Sequence, residues 1–215
     1  MSNHFINPLH FILHDGLEEM GFMFPEQTEQ RLLDYISLLS KWNETYNLTA
    51  VREPIQMITH HILDSLSIRP YLIGPNILDI GTGAGLPGIP LAIARPQYQF
   101  TLLDSNAKKT RFVIQAKAEL GLDNVDVVNQ RVEKYLPAQK FATLVTRAFA
   151  SLAEIAASTG HLLADDGELL AMKGHYPEDE LEQVTEPYKV LEVLELVVPG
   201  LGERRHLVRI GKVPG

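Results

Sequence analysis

The feature that most constrains the fold is a short apolar run followed by three alternating glycines. Residues 76–80 read Asn-Ile-Leu-Asp-Ile, and Gly81, Gly83 and Gly85 come next. Such a run indicates a buried strand, and glycines let a ligand approach the backbone without meeting a Cβ. Doubly wound α/β folds bind their ligands at the carboxyl ends of strands. The segment therefore predicts a strand, a tight turn and a helix at a ligand site.

The remaining pattern predicts an α/β domain behind a helical element. Residues 25–46 and 53–66 show helical periodicity, which Gly74-Pro75 interrupts. Beyond this break, short apolar runs alternate with helical stretches, as in a mainly parallel, doubly wound sheet. The predicted strands are residues 76–80, 99–103, 125–128, 142–145, 167–172, 189–197 and 206–210. One predicted helix follows the glycine turn and ends near residue 95, and two others span residues 107–120 and 151–161.

The order of these elements gives a complete sheet prediction. No helix separates the final two predicted strands, so we expect them to pair antiparallel at one edge of a seven-stranded sheet. We expect residues 1–74 to form an N-terminal helical extension that packs on the core. Residues 75–215 are expected to form one compact ligand-binding unit, since 215 residues are too few for two ordinary domains.

Composition excludes several kinds of chemistry. The sequence contains no cysteine, which rules out cysteine-ligated zinc, iron–sulfur clusters and a cysteine nucleophile. His60, His61 and Asp64 suggest a metal site, but adjacent histidines do not share a helix face, so we expect no metal. No run of ~18 apolar residues and no signal-like N-terminus is present, which favours a cytosolic protein away from membranes.

The charge distribution leaves a nucleic-acid partner open. A net charge of −8 opposes such a partner, but acidic residues concentrate in stretches such as 178–186, which we interpret as a solvated helix face. Basic residues also cluster, and they either form a local basic face or balance neighbouring acids. The first cluster contains Lys108, Lys109, Arg111 and Lys117, and the second contains Arg204, Arg205, Arg209 and Lys212.

The turn favours S-adenosylmethionine over a dinucleotide. Gly83, Gly85 and Gly88 spell a dinucleotide-type pattern, but the first glycine after the strand is Gly81. Asp79, at the strand end, suits the cationic amine of an amino-acid-bearing cofactor. A nicotinamide cofactor and a turn without a ligand remain alternatives. Asp104, at the end of the second predicted strand, is expected to bind ribose hydroxyls, to cap the next helix, or to do both.

Several segments together resemble one known family. They are Trp42-Asn43 with Tyr46-Asn47-Leu48-Thr49, His61-Ile62-Leu63-Asp64-Ser65, GTGAGLPGIPLAI, Leu102-Leu103-Asp104-Ser105, Arg147-Ala148-Phe149-Ala150 and Gly202-Glu203-Arg204-Arg205-His206. In this order, over about residues 25–212, they resemble the RsmG (GidB) family of methyltransferases. The resemblance implies a Rossmann-like class I methyltransferase fold. It also implies methyl transfer from S-adenosylmethionine to guanine N7 in 16S ribosomal RNA, at guanine 527.

The resemblance also implies a set of site residues. The cofactor site contains Gly81, Gly83, Leu86 and Asp104, with Val132-Glu133 beside the adenine and Arg147 at the active-site mouth. Asp79 joins this set from the argument on the turn. The candidate RNA-facing residues are Asn47, Lys108, Arg131, Lys173 and Arg205. His61 and Asp64 are expected to tie the helical extension to the catalytic unit. We expect a monomer that acts on free 16S RNA or on the small ribosomal subunit.

The chemistry of guanine N7 agrees with what the sequence lacks. N7 has an in-plane lone pair and no proton at neutral pH, so its attack needs alignment rather than a general base. After the fourth predicted strand the chain reads Val145-Thr146-Arg147-Ala148-Phe149, without the Asn/Asp-Pro-Pro-aromatic motif of exocyclic-amine methyltransferases. Arg147 is expected to position the substrate or to form a salt bridge, and Phe149 to stack on a base or pack in the core.

Three alternatives to an RNA methyltransferase remain at this point. A small-molecule methyltransferase would use the same cofactor and equally lack a general base or cysteine. A nicotinamide-dependent oxidoreductase would use the offset glycine pattern. A non-catalytic RNA-binding or ribosome-binding module would keep the fold and transfer no methyl group. Cofactor binding, methyl transfer and the salt dependence of RNA binding distinguish them.

Overall fold

A computed structural model describes residues 8–147 and 150–213, in which seven strands form one sheet. The strand order is β3-β2-β1-β4-β5-β7-β6. The sheet prediction is therefore confirmed, with strand ends that differ by a few residues. The strands are β1 Asn76–Ile80, β2 Gln99–Asp104, β3 Val125–Asn129, β4 Phe141–Arg147, β5 Leu163–Lys173, β6 Tyr188–Leu196 and β7 Arg205–Lys212.

The pairing of the strands brings the predicted site to one edge of the sheet. β1 pairs parallel with both β2 and β4, and Ile80 lies opposite Leu103 and Thr146. The three strands thus end side by side, next to Gly81, Asp104 and Arg147. β7 pairs antiparallel with both β5 and β6, which confirms the predicted antiparallel edge. The central strands β1, β2 and β4 are mostly buried, as expected where helices cover both faces of a parallel sheet.

The helices follow the predicted periodicity with one addition and one irregularity. Residues 54–66 contain a central π-helical stretch, Ile58–Leu63, which periodicity alone did not indicate. The addition is the first helix, which precedes the predicted helices in the sequence. The helices are α1 Pro8–Glu19, α2 Glu26–Tyr46, α3 Pro54–Met57, α4 Asp64–Leu66, α5 Gly88–Ala94, α6 Ala107–Leu120, α7 Leu152–Thr159 and α8 Glu178–Leu181.

α1 docks on the rest of the helical element through apolar and polar contacts. Leu13 and Leu17 are fully buried. Buried Glu29 of α2 faces α1, and His14 Nδ1 lies 3.1 Å and 3.3 Å from its two carboxylate oxygens. The second imidazole, that of His10, lies 3.5 Å from Glu29 Oε2. A buried carboxylate requires such partners, so the histidines help to hold α1 in place.

α2 connects the helical element to the glycine turn. It contacts α5 and α6, and the buried Tyr35 hydroxyl donates a 2.7 Å hydrogen bond to the carbonyl of Ala84. Apolar side chains of α2, the π-helical stretch and α5 belong to one continuous core cluster. The helical element is therefore in direct contact with the turn that follows β1.

The structure differs from one sequence interpretation and leaves another outside the described residues. The acidic stretch 178–186 is not one solvated helix face, because α8 ends at Leu181 and Glu180 forms an ion pair with Lys173. Phe149 lies outside the described residues, as does Ala148. Among the helices described, none is long and apolar enough to cross a bilayer.

Candidate active site

The turn after β1 has the backbone geometry that its glycines predict. Gly81, Gly83 and Gly85 have φ angles of 69°, 61° and 89°, which residues with a Cβ rarely adopt. The amides of Gly81 and Thr82 both donate to the carbonyl of Leu103, at 2.8 Å and 3.1 Å. These bonds tie the turn to the end of β2 and fix its position relative to Asp104.

Asp79 is a buried carboxylate with one satisfied oxygen and one unsatisfied oxygen. Its Oδ2 accepts hydrogen bonds from the Thr82 hydroxyl at 2.6 Å and from the Gly88 amide at 2.8 Å. Its Oδ1 is buried and has no hydrogen-bond partner among residues 8–147 and 150–213. Burial raises the pKa of Asp79 to about 6, while the two hydrogen bonds act to lower it. Asp79 therefore organises the turn and still has one free acceptor.

Gly88 allows α5 to begin close to Asp79. A Cβ at this glycine would lie 2.1 Å from Leu102 Cδ2 and 2.7 Å from Asp79 Oδ2. Any larger residue would force the side chain of Leu102, that of Asp79 or the start of α5 to move. The hydrogen bond between the Gly88 amide and Asp79 thus depends on the missing side chain.

Asp104 lines a cavity of about 340 Å³ at the end of β2. Its Oδ2 accepts from the Gly83 amide at 2.9 Å, and its Oδ1 accepts from the Asn106 amide at 2.8 Å. The cap of α6 is Asn106, whose side chain accepts from the amides of Lys108 and Lys109. The helix-cap alternative for Asp104 is therefore wrong. We name this space the first cavity.

The first cavity extends from the glycine turn to the segment after β3. Gly81 lies at one end, and Arg131, Val132 and Glu133 lie on the wall that follows β3. Val132 is buried, whereas Glu133 is exposed. Leu86 is buried in the turn, and its amide donates to Thr82 O at 2.8 Å. Lys109 also lines this cavity, although sequence reasoning assigned it no role there.

A second cavity, of about 420 Å³, surrounds Arg147. Arg147 Nη1 donates to buried Asp64 Oδ2 at 3.1 Å and to the His60 carbonyl at 3.2 Å. The other oxygen of Asp64 accepts from Arg205 Nε at 3.1 Å. Asp64 therefore joins the helical element to both β4 and β7, as predicted. The cavity is lined by Val51, His60, His61, Asp64, Arg147, Met172, Lys173, Gly174 and Arg205.

His61 forms its side-chain hydrogen bond within the helical element and not to the sheet. Its Nε2 lies 2.9 Å from Thr49 Oγ1, and the Thr49 amide donates to Asn43 Oδ1 at 2.9 Å. Burial, helped by the nearby Arg147, lowers the pKa of His61 to about 4, so the ring is neutral at physiological pH. These hydrogen bonds fix the loop after α2. The sequence did not predict them.

Lys173 is held in place by an acid that the sequence did not single out. Its Nζ lies 2.8 Å from Glu180 Oε2 and donates to the carbonyl of Ala150 at 3.3 Å. Glu180 also accepts from the Leu152 amide at 2.7 Å. Glu180 thus links Lys173 in the second cavity to the start of α7.

The two basic clusters differ in how their charges are used. Arg209 pairs with Glu168 and Glu192, and Lys212 pairs with Asp165. The second cluster therefore largely balances neighbouring acids. In the first cluster, Lys117 pairs with Asp126, whereas Lys108 Nζ lies 5.5 Å from the centre of the Tyr46 ring. Asn47 ends α2 in a left-handed conformation, exposed to solvent.

The strand order, the glycine turn and the acid that ends β2 define a Rossmann-like class I methyltransferase fold. Solved methyltransferases share it: the glycopeptide N-methyltransferase MtfA, complexed with S-adenosyl-L-methionine, has a TM-score of 0.62 at 13% identity. That similarity covers 72% of this chain and 88% of MtfA. A ribosomal protein L11 methylase from Lactobacillus delbrueckii subsp. bulgaricus has a TM-score of 0.55 at 17% identity, with coverages of 71% and 77%.

Sequence relatives give a narrower assignment. The model of the family described as rRNA small subunit methyltransferase G matches residues 28–208, and the chain belongs to this family. A ribosomal RNA small subunit methyltransferase G from Nitrosococcus oceani is 52% identical over 199 residues, which cover 93% of each chain. One from Laribacter hongkongensis is 51% identical over 93% of this chain and 96% of its own length.

Proposed function

We propose that this chain transfers a methyl group from S-adenosylmethionine to guanine N7 of 16S ribosomal RNA. The observation that carries the proposal is the common edge of β1, β2 and β4, where the glycine turn, Asp104 and Arg147 meet. The family membership supports ribosomal RNA as the substrate class, because relatives about half identical are named for the small-subunit RNA.

The first cavity has the features that S-adenosylmethionine requires. Asp104 offers a carboxylate to the two ribose hydroxyls. Val132 and Glu133 offer an apolar wall and a polar neighbour for the adenine. The free Oδ1 of Asp79, at the start of the turn, suits the cationic amine of the methionine part. These contacts would hold the sulfonium near the ends of β1 and β4.

The reaction itself is a direct displacement. S-adenosylmethionine supplies a methyl group activated by the positive sulfur. The N7 lone pair forms the new C–N bond, the S–CH₃ bond breaks, and its electron pair goes to sulfur to give S-adenosylhomocysteine. No proton moves in this step, so the protein needs no general base. Its task is alignment, which can contribute roughly 7–11 kcal/mol.

Arg147 is the candidate for positioning the guanine. Asp64 and the His60 carbonyl orient its guanidinium, so that part of its donor set remains for a substrate. A guanidinium is suited to the O6 and N7 acceptors of guanine. Lys173 and Arg205, which line the same cavity, would attract the RNA. We also retain Asn47, Lys108 and Arg131 as RNA contacts, residues 1–74 as an extension of the catalytic unit, and position 527 as the target.

Labelled S-adenosylmethionine tests the proposal on small ribosomal subunits and 16S RNA from cells that lack this gene. Cleavage selective for N7-methylguanine then maps the product. We expect label at one guanine, and its loss in Arg147→Ala with folding intact. S-adenosylhomocysteine binding without label on any RNA substrate would overturn the RNA assignment and favour a small-molecule methyltransferase. Failure to bind S-adenosylhomocysteine would overturn the cofactor assignment.

A further inference from the structure

The carboxyl end of α2 carries an exposed aromatic ring with one basic side chain over it and a second bonded to the next residue. Tyr46 is 39% exposed, although one side of its ring faces Trp42, whose ring centre lies 5.1 Å away. Lys108 of α6 reaches over the Tyr46 ring at 5.5 Å. Arg52 reaches back to the end of α2 and donates to Asn47 Oδ1 at 3.3 Å. We call Tyr46, Arg52 and Lys108 the aromatic platform.

No carboxylate of the described residues neutralises the charges of the platform. In the described parts of the chain, neither Arg52 nor Lys108 lies within ion-pairing distance of a carboxylate. Both side chains are exposed. Arg209 and Lys212 of the second basic cluster are held by acids. On a protein with a net charge of −8, two unpaired cations beside an exposed ring form a local site for an anion attached to a flat group.

The platform adjoins residues of both cavities. Lys109, the neighbour of Lys108, lines the first cavity, and Val51, the neighbour of Arg52, lines the second. A polymer that crosses the platform can therefore reach the edge where β1 and β4 end. Single-stranded RNA has the matching chemistry, because its bases stack on aromatic rings and its phosphates bind cations.

We infer that the aromatic platform binds a single-stranded segment of the RNA substrate, with one base stacked on Tyr46 and adjacent phosphates at Arg52 and Lys108. The inference rests on the proposed function and adds the surface that the RNA crosses. Packing against Trp42 is the purely structural role of Tyr46, but it does not account for the two unpaired cations.

Trp42 provides a direct reporter, since it is the single tryptophan of the sequence and lies against Tyr46. A short single-stranded oligoribonucleotide is titrated into the full chain while Trp42 emission is followed, with correction for absorbance by the RNA. We expect saturable binding that changes the emission. Tyr46→Ala should weaken binding about tenfold, because base stacking on an aromatic ring is lost, whereas Tyr46→Phe should retain the affinity.

Charge variants test the phosphate contacts without changing the packing of Trp42. Arg52→Gln and Lys108→Gln should each weaken binding and reduce the slope of log affinity against log salt by about 0.7. Lys189→Gln is the matched control. It removes an exposed cation from β6, the edge strand opposite β3, whereas Lys108 lies on α6, which packs against β3 and β2. Affinity for S-adenosylhomocysteine should stay unchanged in all these variants, which separates RNA binding from the cofactor site.

The outcomes distinguish this inference from the proposed function. No binding of the oligoribonucleotide by the unchanged protein would overturn the platform, as would equal losses in Lys108→Gln and Lys189→Gln. Unchanged affinity in Tyr46→Ala together with full methyl transfer to 16S RNA would overturn the platform and leave the proposed function in place. Absence of methyl transfer by the unchanged protein, with the expected pattern of RNA binding, would instead count against the proposed function.

Discussion

The two cavities of the site are built in different ways. The first cavity is assembled from neighbouring segments: Gly83 and Asp104, which are hydrogen-bonded, lie 21 residues apart. The second cavity depends on distant segments, because Asp64 bonds Arg147 and Arg205, which lie 83 and 141 residues away. A change in the second cavity should therefore affect folding stability, whereas a change in the first should mainly affect ligand binding.

The largest effect is expected when the shared carboxylate of the second cavity is removed. Asp64→Ala should lower the free energy of unfolding by about 3 kcal/mol, because two partly buried guanidinium groups lose their partner. Urea unfolding of the unliganded protein measures this difference. Asp64→Ala in an Arg147→Ala background should cost clearly less, because one of the two interactions is already absent. Equal costs in both backgrounds would contradict coupling through the ion pair.

Replacement of Asp79, the buried carboxylate just before the glycine turn that borders the first cavity, should give the opposite pattern. Asp79→Asn should weaken S-adenosylhomocysteine binding by roughly thirtyfold, about 2 kcal/mol, because the charged acceptor for the ligand amine is lost. Isothermal calorimetry measures the affinity, and circular dichroism checks the fold. Thr82→Val, which removes one hydrogen bond to Asp79 but keeps its charge, is the control. Similar losses in the two variants would show that Asp79 acts only by organising the turn.

The pH dependence of ligand binding further tests whether Asp79 acts on ligand affinity, in contrast to Asp64, which acts on stability. The pKa of Asp79 is raised to about 6 by burial, so the carboxylate is largely ionised at pH 7.5 and protonated at pH 5. Affinity for S-adenosylhomocysteine should therefore be full above the pKa and fall by up to about tenfold for each pH unit below it. Asp79→Asn should lose this dependence between pH 5 and 7.5. An identical profile in the variant would assign the titration to another group.

The smallest effect is expected at the rim of the second cavity. Glu180→Gln should lower the free energy of unfolding by about 0.5–1 kcal/mol, because the pair with Lys173 is partly exposed. S-adenosylhomocysteine affinity should not change. Glu182→Gln, at an exposed position just beyond α8, is the matched control. A loss in binding free energy for S-adenosylhomocysteine that exceeds the loss in unfolding free energy would mean that a change beside the second cavity also affects the ligand site.

The strand positions could be predicted because each strand is a short apolar run that ends at a turn. The same holds for the glycine turn, Asp104 and the capped α6, whose signals lie within a few residues of each other. Two alternatives for Asp104 stayed open because a carboxylate before a helix suits both roles. The structure excludes the cap role by giving the cap to Asn106, and ribose binding by Asp104 stays a prediction.

Other features depend on contacts that no local pattern contains. The partners of Asp64 lie on β4 and β7, so their identity follows only from the folded sheet. Glu180 was hidden in an acidic stretch, and nothing in that stretch distinguishes it from its neighbours. α1 was not predicted because its burial depends on a surface formed by α2 and the π-helical stretch. The contacts of the buried Glu29 carboxylate with two imidazoles reinforce this surface.

The position of β7 has a consequence for the order in which the protein is made. β7 follows β6 in the sequence but lies between β5 and β6 in the sheet. During synthesis, the segments of the first cavity therefore emerge from the ribosome well before Arg205. Asp64 has only one of its guanidinium partners until β7 emerges and inserts. A nascent chain can thus form the first cavity early, whereas the cavity around Arg147 is completed only after residues 205–212 have been made.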